Sequence, residues 1–411
     1  MKRGSSGYSF VCGVKKEVGM TSHDVVNRVR KILGERRVGH AGTLDPAASG
    51  VLIVCAGPAT RLVNYFVGHD KKYIARIQFG ASTETDDAQG KIVREADVPD
   101  CVLHARFAED YLRGLTGKQK QMPPVYSALK VGGKKACDEA RRGCVIELSP
   151  RDIEVFDAKL LGVGVADIMC GRECVAGAME AGRAQGAGGV QTAIDAQGAN
   201  GASSECAGAT GAGGAQGVTD VQGTCASVHG EDTDVQSAGN EQVAQAPYWD
   251  VEFHVSAGTY VRALARDIGL GVGSVAHLSA LERTCVGALS LHDCASLDVL
   301  EREGAKICID PVLILGMRVT FLDDEMASKV DNGGFLPESL KLCEMSTNKL
   351  KQNICLCTSG VVLSEARPAD AEKIAVVSNN KLKAIYYYDA KIGKFKPDCV
   401  FSLGVLRGAC L

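Results

Sequence analysis

The sequence predicts an α+β protein built on a mixed, largely antiparallel sheet, with a smaller β-rich unit toward the C-terminal end. Three observations carry that prediction. Residues 73–79, 153–163 and 249–255 alternate apolar and polar side chains, the period of half-buried strands. Residues 21–33 repeat apolar positions at helical spacing, and 105–115 is also helix-like. From about Pro311, short apolar runs at 374–377 and 382–388, together with Gly333-Gly334, read as a compact β-rich fold.

A short strand at 9–14 comes first. Thr21-Ser22 supplies an N-cap, after which Val25, Val26, Val29, Ile32 and Leu33 share one helical face and Arg28, Arg30 and Lys31 point outward. The loop Gly39-His40-Ala41-Gly42-Thr43-Leu44-Asp45-Pro46 feeds an apolar run at 51–56 that reads as a buried strand. Next, Tyr73, Ala75, Ile77 and Phe79 alternate onto one face, and 84–90 is a polar hairpin-type turn closed by Gly90. A basic loop at 118–142 carries Pro123-Pro124, Gly132-Gly133 and Lys134-Lys135.

The runs 153–163 and 249–255 read as two antiparallel strands. Between them, residues 164–246 are dominated by Gly, Ala, Gln, Ser and acids, without sustained periodicity. Such a segment cannot bury enough apolar surface to offset its ordering entropy, so disorder is expected. It reads as a swollen hairpin tip, tolerated because closure cost grows slowly with loop length. After the second strand, Ser256-Ala257-Gly258-Thr259-Tyr260-Val261-Arg262 leads into a helix through Ile268. Thr259 is its expected N-cap and Arg262 falls in its first turn. Tyr386, Tyr387 and Tyr388 read as strand packing residues in preference to a base-stacking platform.

At 411 residues and 45% hydrophobic composition, the chain has material for two or three domains with sizeable cores. Its net charge of −3 hides an asymmetry. Residues 1–163 carry 26 Lys and Arg against 19 Asp and Glu, whereas 164–246 carry two basic and ten acidic residues. A basic segment bearing the candidate site points to an anionic partner such as nucleic acid, and equally to a solvated basic surface. No apolar run is long enough to span a membrane, and residues 1–7 lack the apolar stretch of a secretory signal.

Seventeen cysteines are mostly scattered singly, as at Cys12, Cys55 and Cys285. Only Cys170/Cys174 and Cys355/Cys357 are close pairs, and neither has a matching pair at zinc spacing. The expectation is reduced thiols in a cytosolic protein, with no metal site. The odd total also argues against a fully paired disulfide framework.

The most informative stretch is the loop holding Asp45. Pro46 biases Asp45 away from helical geometry, and Gly39 and Gly42 let the backbone turn sharply. A loop feeding a buried strand can hold an acid rigidly against a substrate. An Asp-Pro pair is also a common turn starter, so this loop alone does not decide its function.

Several motifs in register do decide. Lys16 with Gly19-Met20-Thr21-Ser22, the 39–45 loop, Lys72-Tyr73 and Gly258-Thr259-Tyr260-Val261-Arg262 occur in this order. Asp87 with Gly90, Tyr126-Ser127-Ala128-Leu129-Lys130 and Gly133-Lys134-Lys135 accompany them. In these residues the chain resembles the TruB-type pseudouridine synthases, which isomerise uridine 55 in the T-loop of transfer RNA. The resemblance covers about 9–163 and 247–290, and more loosely the C-terminal unit.

The resemblance implies the pseudouridine synthase fold with a PUA-like C-terminal domain. Its parts would be a catalytic domain at 9–163 and 247–300, the insertion at 164–246 and the PUA-like RNA-binding domain at 311–403. It also implies that the loop 118–142 folds over the T-arm like a thumb. The reaction breaks the C1′–N1 bond, turns the uracil and joins C5 to C1′. No atom is lost and no redox change occurs, so no cofactor or metal is expected. The essential family aspartate matches Asp45, which either adds to C1′ or removes a sugar proton; in both cases it acts as the ionised carboxylate.

By the same resemblance, Arg262 pairs with Asp45, and Tyr73 stacks on the target base and helps remove the C5 proton. His40 occupies space vacated by the flipped uridine, since a stacked base must be extruded before chemistry. Tyr260 and Leu281 line the uridine pocket. Lys16 supports the active-site loop or contacts phosphate. Transfer RNA is the expected partner, for a cytoplasmic monomer with no membrane association and no obligatory protein partner.

Two positions depart from the family pattern. Glu17 stands where proline is common after the lysine, and Glu282 precedes Arg283-Thr284 where a basic residue is usual. The insertion has no counterpart in the family core, and a spacer without function is favoured over an acidic RNA mimic. Two rival functions stand beside the stand-alone synthase. One is a guide-RNA-dependent synthase, which would be expected to carry basic tails absent from this chain. The other is an RNA-folding chaperone acting on the transfer-RNA elbow, whose benefit would survive loss of Asp45. Lys391, Lys394 and Lys396 in the last unit would meet backbone phosphate.

Overall fold

Strand Phe10–Lys16 (β1) runs two residues past the expected 9–14 and is buried at every position but Lys15. Both of its faces are covered: Val11 joins one apolar cluster, while Phe10, Cys12 and Val14 join another under the first helix. This computed structural model describes residues 7–127, 129–142, 148–167, 245–345, 361–364 and 366–408. The body of the insertion, Ala128, Cys170/Cys174 and Cys355/Cys357 lie outside the described residues.

Helix Ser22–Leu33 (α1) begins where the Thr21 cap predicts. The Thr21 hydroxyl accepts from the Asp24 amide while the Asp24 carboxylate accepts from the Thr21 amide. Gly34, in the left-handed region, ends it. Val25, Val26, Val29 and Leu33 are buried as the periodicity requires. Arg30 departs from the expected outer face: it is half-buried and donates to the Val38 carbonyl at 3.1 Å.

The chain then forms Val38–Ala41 (β2), Ala48–Ala56 (β3), Val63–Val67 (α2) and Lys71–Phe79 (β4). The hairpin Ala81–Thr83 (β5) and Ile92–Glu95 (β6) flanks the polar turn, followed by Ala105–Gly114 (α3) and Gly117–Gln121 (β7). A small pair, Lys130–Val131 (β8) and Lys134–Lys135 (β9), and helix Ala136–Arg141 (α4) occupy the basic loop. Then come Arg151–Asp167 (β10), Gln245–Val255 (β11), Val261–Gly271 (α5), Ala276–Val286 (β12) and Leu289–Ser290 (β13).

Nine of these strands make one sheet in the order β1-β3-β12-β4-β11-β10-β7, with β2 pairing β3 and β13 pairing β12, while β5-β6 and β8-β9 stand as separate pairs. Only β3 and β12 run parallel, with Leu281 opposite Ala48 and Arg283 opposite Gly50, so the sheet is mixed and largely antiparallel. Tyr73, Ala75, Ile77 and Phe79 face inward from β4, joined by Trp249, Val251 and Phe253 of β11 and by Leu264 and Ile268 of α5. The indole N–H of Trp249 donates to the Val102 carbonyl at 2.8 Å, satisfying the one polar atom of this buried ring.

Strands β10 and β11 are antiparallel neighbours, Val155 opposite Val255 and Val163 opposite Trp249. Their pairing continues past the sequence-based limits, to Asp167 opposite Gln245. The chain leaves and re-enters the described residues at two cross-strand partners.

A second sheet takes up the C-terminal part. Its strands are Arg318–Phe321 (β14), Leu336–Pro337 (β15), Leu342–Met345 (β16), Val361–Ser364 (β17), Lys373–Ser378 (β18), Lys381–Asp389 (β19) and Lys394–Leu406 (β20), ordered β15-β20-β19-β18-β14-β16-β17. Tyr386 and Tyr388 are buried in its core, which fits the packing reading of the tyrosine run. The two sheets share an apolar cluster in which Val11, Ile53 and Phe66 meet Val312, Val377, Ile385 and Phe401. The buried Arg407–Asp310 ion pair, closest at 2.7 Å, and a bond from the Leu406 amide to the Ser9 carbonyl tie the last strand to the first.

Candidate active site

The loop between β2 and β3 is pinned on both sides of Asp45. Before it, the Ser22 hydroxyl at the start of α1 accepts from the Leu44 amide at 2.8 Å and sits 3.0 Å from the Leu44 carbonyl. After it, the Pro46 carbonyl accepts from the Gly19 amide at 2.8 Å. Gly42 adopts a φ of 82°, a conformation costly for any side chain but available to glycine. This turns the loop so that the buried Arg283 guanidinium meets the Gly42 carbonyl at 3.0 Å, the Thr43 carbonyl at 3.5 Å and the Val51 carbonyl at 2.8 Å.

Held this way, the Asp45 carboxylate lies 2.9 Å from the Arg262 Nε. Arg262 comes from the first turn of α5, as its sequence position implies, and is only 6% exposed. Its remaining N–H groups donate to the Thr85 carbonyl at 2.9 Å and the Tyr126 carbonyl at 3.0 Å. A second carboxylate, Asp87, stands 3.7 Å away on the same guanidinium. The Thr85 hydroxyl (2.5 Å) and the Gln89 amide (3.0 Å) fix Asp87 in turn.

Thr259 is not the cap of α5. The helix starts one residue later, with Tyr260 in the capping position and no side-chain cap of its own. Gln121 of β7 instead holds the capping residue itself. Its amide accepts from the Tyr260 N–H at 2.9 Å and donates to the Tyr260 carbonyl at 3.1 Å. The Thr259 hydroxyl lies 3.3 Å from that of Ser256.

Asp45, Asp87 and Arg262 share a narrow pocket with Ala48, Leu278 and Leu281. Burial raises the Asp45 carboxyl above the ordinary carboxylate range, with Arg262 pulling it back and Asp87 adding to the rise. A third of the side chain still faces solvent. The result is an ionisable acid, aimed by a fixed cation, on an apolar floor.

The other expected residues surround this pair. Tyr73, on β4 opposite Phe253 and Arg283, is buried in the cluster that contains Leu44, Ala48 and Leu281. Tyr260 is half-buried, and burial raises its phenol. Lys16 is buried, and its amine donates to the Glu17 carbonyl at 2.8 Å and reaches the Pro46 carbonyl at 3.5 Å. Burial lowers this lysine to about 8, with Asp45 opposing the shift. His40 sits on β2 outside the pocket lining, with its Nδ1 buried and without a hydrogen-bond partner among the described residues. Burial and then Arg283 hold its imidazole below the usual range, hence neutral.

Sequence reasoning did not single out Gln121, took Ser22 and Asp87 only as parts of motifs, and named Arg283 only as the neighbour of Glu282. One signal was available for Arg283. It lies two positions after Leu281 on a strand, so it shares that residue's face.

A model of the TruB family pseudouridylate synthase N-terminal domain matches residues 30–179. The tRNA pseudouridine synthase B of Deinococcus radiodurans is 34% identical over 290 residues, spanning 71% of this chain and 78% of that protein. The protein of the same name from Listeria monocytogenes serotype 4b is 30% identical over 394 residues, 94% of this chain and 96% of its own length. Among solved structures, a chain of a Cbf5-Nop10-Gar1 complex superposes with a TM-score of 0.52 at 18% identity, over 97% of this chain and 85% of its own. That likeness speaks for the fold. With this extent of shared sequence, over a fold of the same kind, the chain belongs to the TruB family of pseudouridylate synthases.

Proposed function

We propose that this protein is a tRNA pseudouridine synthase that converts uridine 55 of the T-loop to pseudouridine. The observation that carries the reading is the Asp45 carboxylate, 2.9 Å from a buried arginine in an apolar pocket. The uridine is flipped out of its stack to reach that pocket. Asp45 then acts as the ionised carboxylate, either adding to C1′ as N1 departs or removing a sugar proton to give a glycal. The freed uracil turns and C5 bonds to C1′, as the Asp45–C1′ bond breaks in the first route or the sugar regains its proton from Asp45 in the second; C5 then loses its proton and N1 gains one, so atoms and charge balance.

Arg262 aims the carboxylate and favours its charged form. Tyr73 stacks on the uracil and assists loss of the C5 proton, while Leu281 and Tyr260 wall the base. His40, neutral and half-buried, fills the gap the uridine leaves. For Lys16, burial and two main-chain carbonyl partners favour loop support over phosphate contact. The 118–142 segment closes over the T-arm. The C-terminal sheet acts as a PUA-like unit whose exposed Lys391 and Lys394 meet phosphate. The protein works as a cytoplasmic monomer without cofactor or guide RNA.

The test is tritium release from an unmodified transfer-RNA transcript labelled at uridine C5, with wild type and Asp45→Asn side by side. Release by wild type alone, abolished when uridine 55 is replaced by cytidine, is the expected result. Tight binding with no release by wild type would sink the stand-alone synthase and leave a chaperone or a guide-dependent enzyme.

A further inference from the structure

Helix α5 carries two arginines on one face, Arg262 and Arg266, a single turn apart. Of the two, only Arg262 pairs with Asp45. Arg266 repeats its pattern of contacts one turn along. It pairs with the Asp86 carboxylate at 3.1 Å and donates to the Met122 carbonyl at 2.8 Å, with Asp267 at 3.0 Å as a further partner. Arg262 holds the neighbouring Thr85 and Tyr126 carbonyls. Each arginine therefore grips the 85–87 turn with one arm and the 122–126 segment with another.

Gln121 extends this seam through its two-way pairing with the Tyr260 backbone. The base of the 118–142 segment is thus fastened to α5 at residues 121, 122 and 126.

Arg266 holds the turn at a left-handed residue. Asp86 has a φ of 59°, a conformation uncommon outside glycine and visited most readily by asparagine and aspartate. The Leu278 amide donates to its carbonyl at 3.0 Å, and Arg266 engages its half-buried carboxylate. The next residue is Asp87, the second carboxylate on Arg262. Arg266 thus adds a side-chain tie to the backbone bonds that place this turn, and with it Asp87 beside Arg262.

We propose that Arg266 is a positioning residue for the reaction, locking the 85–87 turn and the base of the 118–142 segment to α5 so that Arg262 stays aimed at Asp45. The inference rests on the synthase reading above and deepens it. RNA contacts made by the 118–142 segment are transmitted to the catalytic pair through this seam. Small misplacements of a catalytic group are costly to rate while leaving binding almost untouched.

Single-turnover rates at saturating unmodified transfer-RNA transcript, with the transcript's Kd measured separately, test this for wild type, Arg266→Met, Arg266→Lys, Asp86→Asn and the Met/Asn double variant. Asparagine tolerates the left-handed backbone, so Asp86→Asn removes only the charge. Arg266→Met lowers the rate at least about tenfold, the scale of one lost charge-assisted hydrogen bond, with Kd within about threefold. Arg266→Lys recovers part of the rate, and the double variant is no slower than Arg266→Met. Wild-type rates in the variants, a loss explained by weaker binding alone, or additive losses in the double variant would each overturn the proposal. If Arg266→Met does not fold, a folded Asp86→Asn with the wild-type rate would overturn it equally. Absence of wild-type turnover would sink the synthase reading and this inference with it.

Discussion

At the scale of the residue, Asp45 is poised between burial and a cation. Burial raises its carboxyl and Arg262 opposes the rise, so the acid limb of kcat/KM lies above the pH of an ordinary aspartate titration. Activity falls as pH drops through that limb, and Arg262→Met moves the limb to higher pH. A pH–rate profile of both proteins checks the direction. A carboxyl raised by folding stabilises the fold at low pH, and that contribution is lost as pH rises through its folded value. At neutral pH its charge is therefore a burden. Asp45→Asn melts no lower than wild type while losing turnover, which calorimetry beside the tritium assay reads directly.

Lys16 has the opposite linkage. Folding lowers it from 10.5 to about 8, so between those values the unfolded chain holds a proton that the folded one does not. Lys16 therefore contributes stability that grows with pH across that window. Lys71, also lowered to about 8, contributes in the same sense, while thiols raised by burial, such as Cys12 and Cys294, contribute in the opposite sense. Between pH 7.5 and 10.5 the unfolding free energy of Lys16→Met changes less favourably with pH than that of wild type, by on the order of 1–3 kcal/mol across the window. Equal slopes would mean that Lys16 titrates normally.

At the scale of elements, the catalytic loop is held by neighbours remote in sequence. The Arg283 guanidinium gathers the carbonyls of Gly42, Thr43 and Val51 around one buried charge. Its backbone lies against Gly50, where an added Cβ would come within 2.2 Å of the Arg283 carbonyl. Strands β3 and β12 thus approach closely where the Asp45 loop leaves the sheet. Arg283→Met costs on the order of 2–4 kcal/mol, the loss of these charge-assisted hydrogen bonds partly offset by an apolar side chain. Amide exchange at Thr43 and Leu44 quickens more than in the distant β19. Uniform quickening would place the loss in global stability alone.

At the scale of the whole molecule, strands β10 and β11 remain paired up to the two ends of the insertion. Asp167 and Gln245 are direct partners across two antiparallel strands, so a two-residue turn can join them. Replacing residues 168–244 with Asn-Gly leaves the melting temperature within a few degrees, since loop shortening changes closure entropy only slowly. A drop of tens of degrees would show that this segment carries part of the fold's stability. The shared cluster beneath both sheets makes the C-terminal strands part of the same framework that carries Asp45.

The sequence by itself determined the local architecture. The Thr21 cap, the buried alternation from Tyr73 to Phe79, the antiparallel pair around the insertion and the aspartate loop all depend on spacing within a few residues, which sequence displays. Family motifs also brought Asp45, Arg262 and Leu281 into one hypothesis, and all three line the same pocket. Tertiary structure decided what supports them. Gln121 on the Tyr260 backbone, Arg283 inside the sheet, Asp87 sharing the Arg262 guanidinium and Arg266 on the 85–87 turn all act on residues more than a hundred positions away. No local period encodes such a pairing. It arises only when sheet closure brings distant polar groups out of water together and leaves each needing a partner.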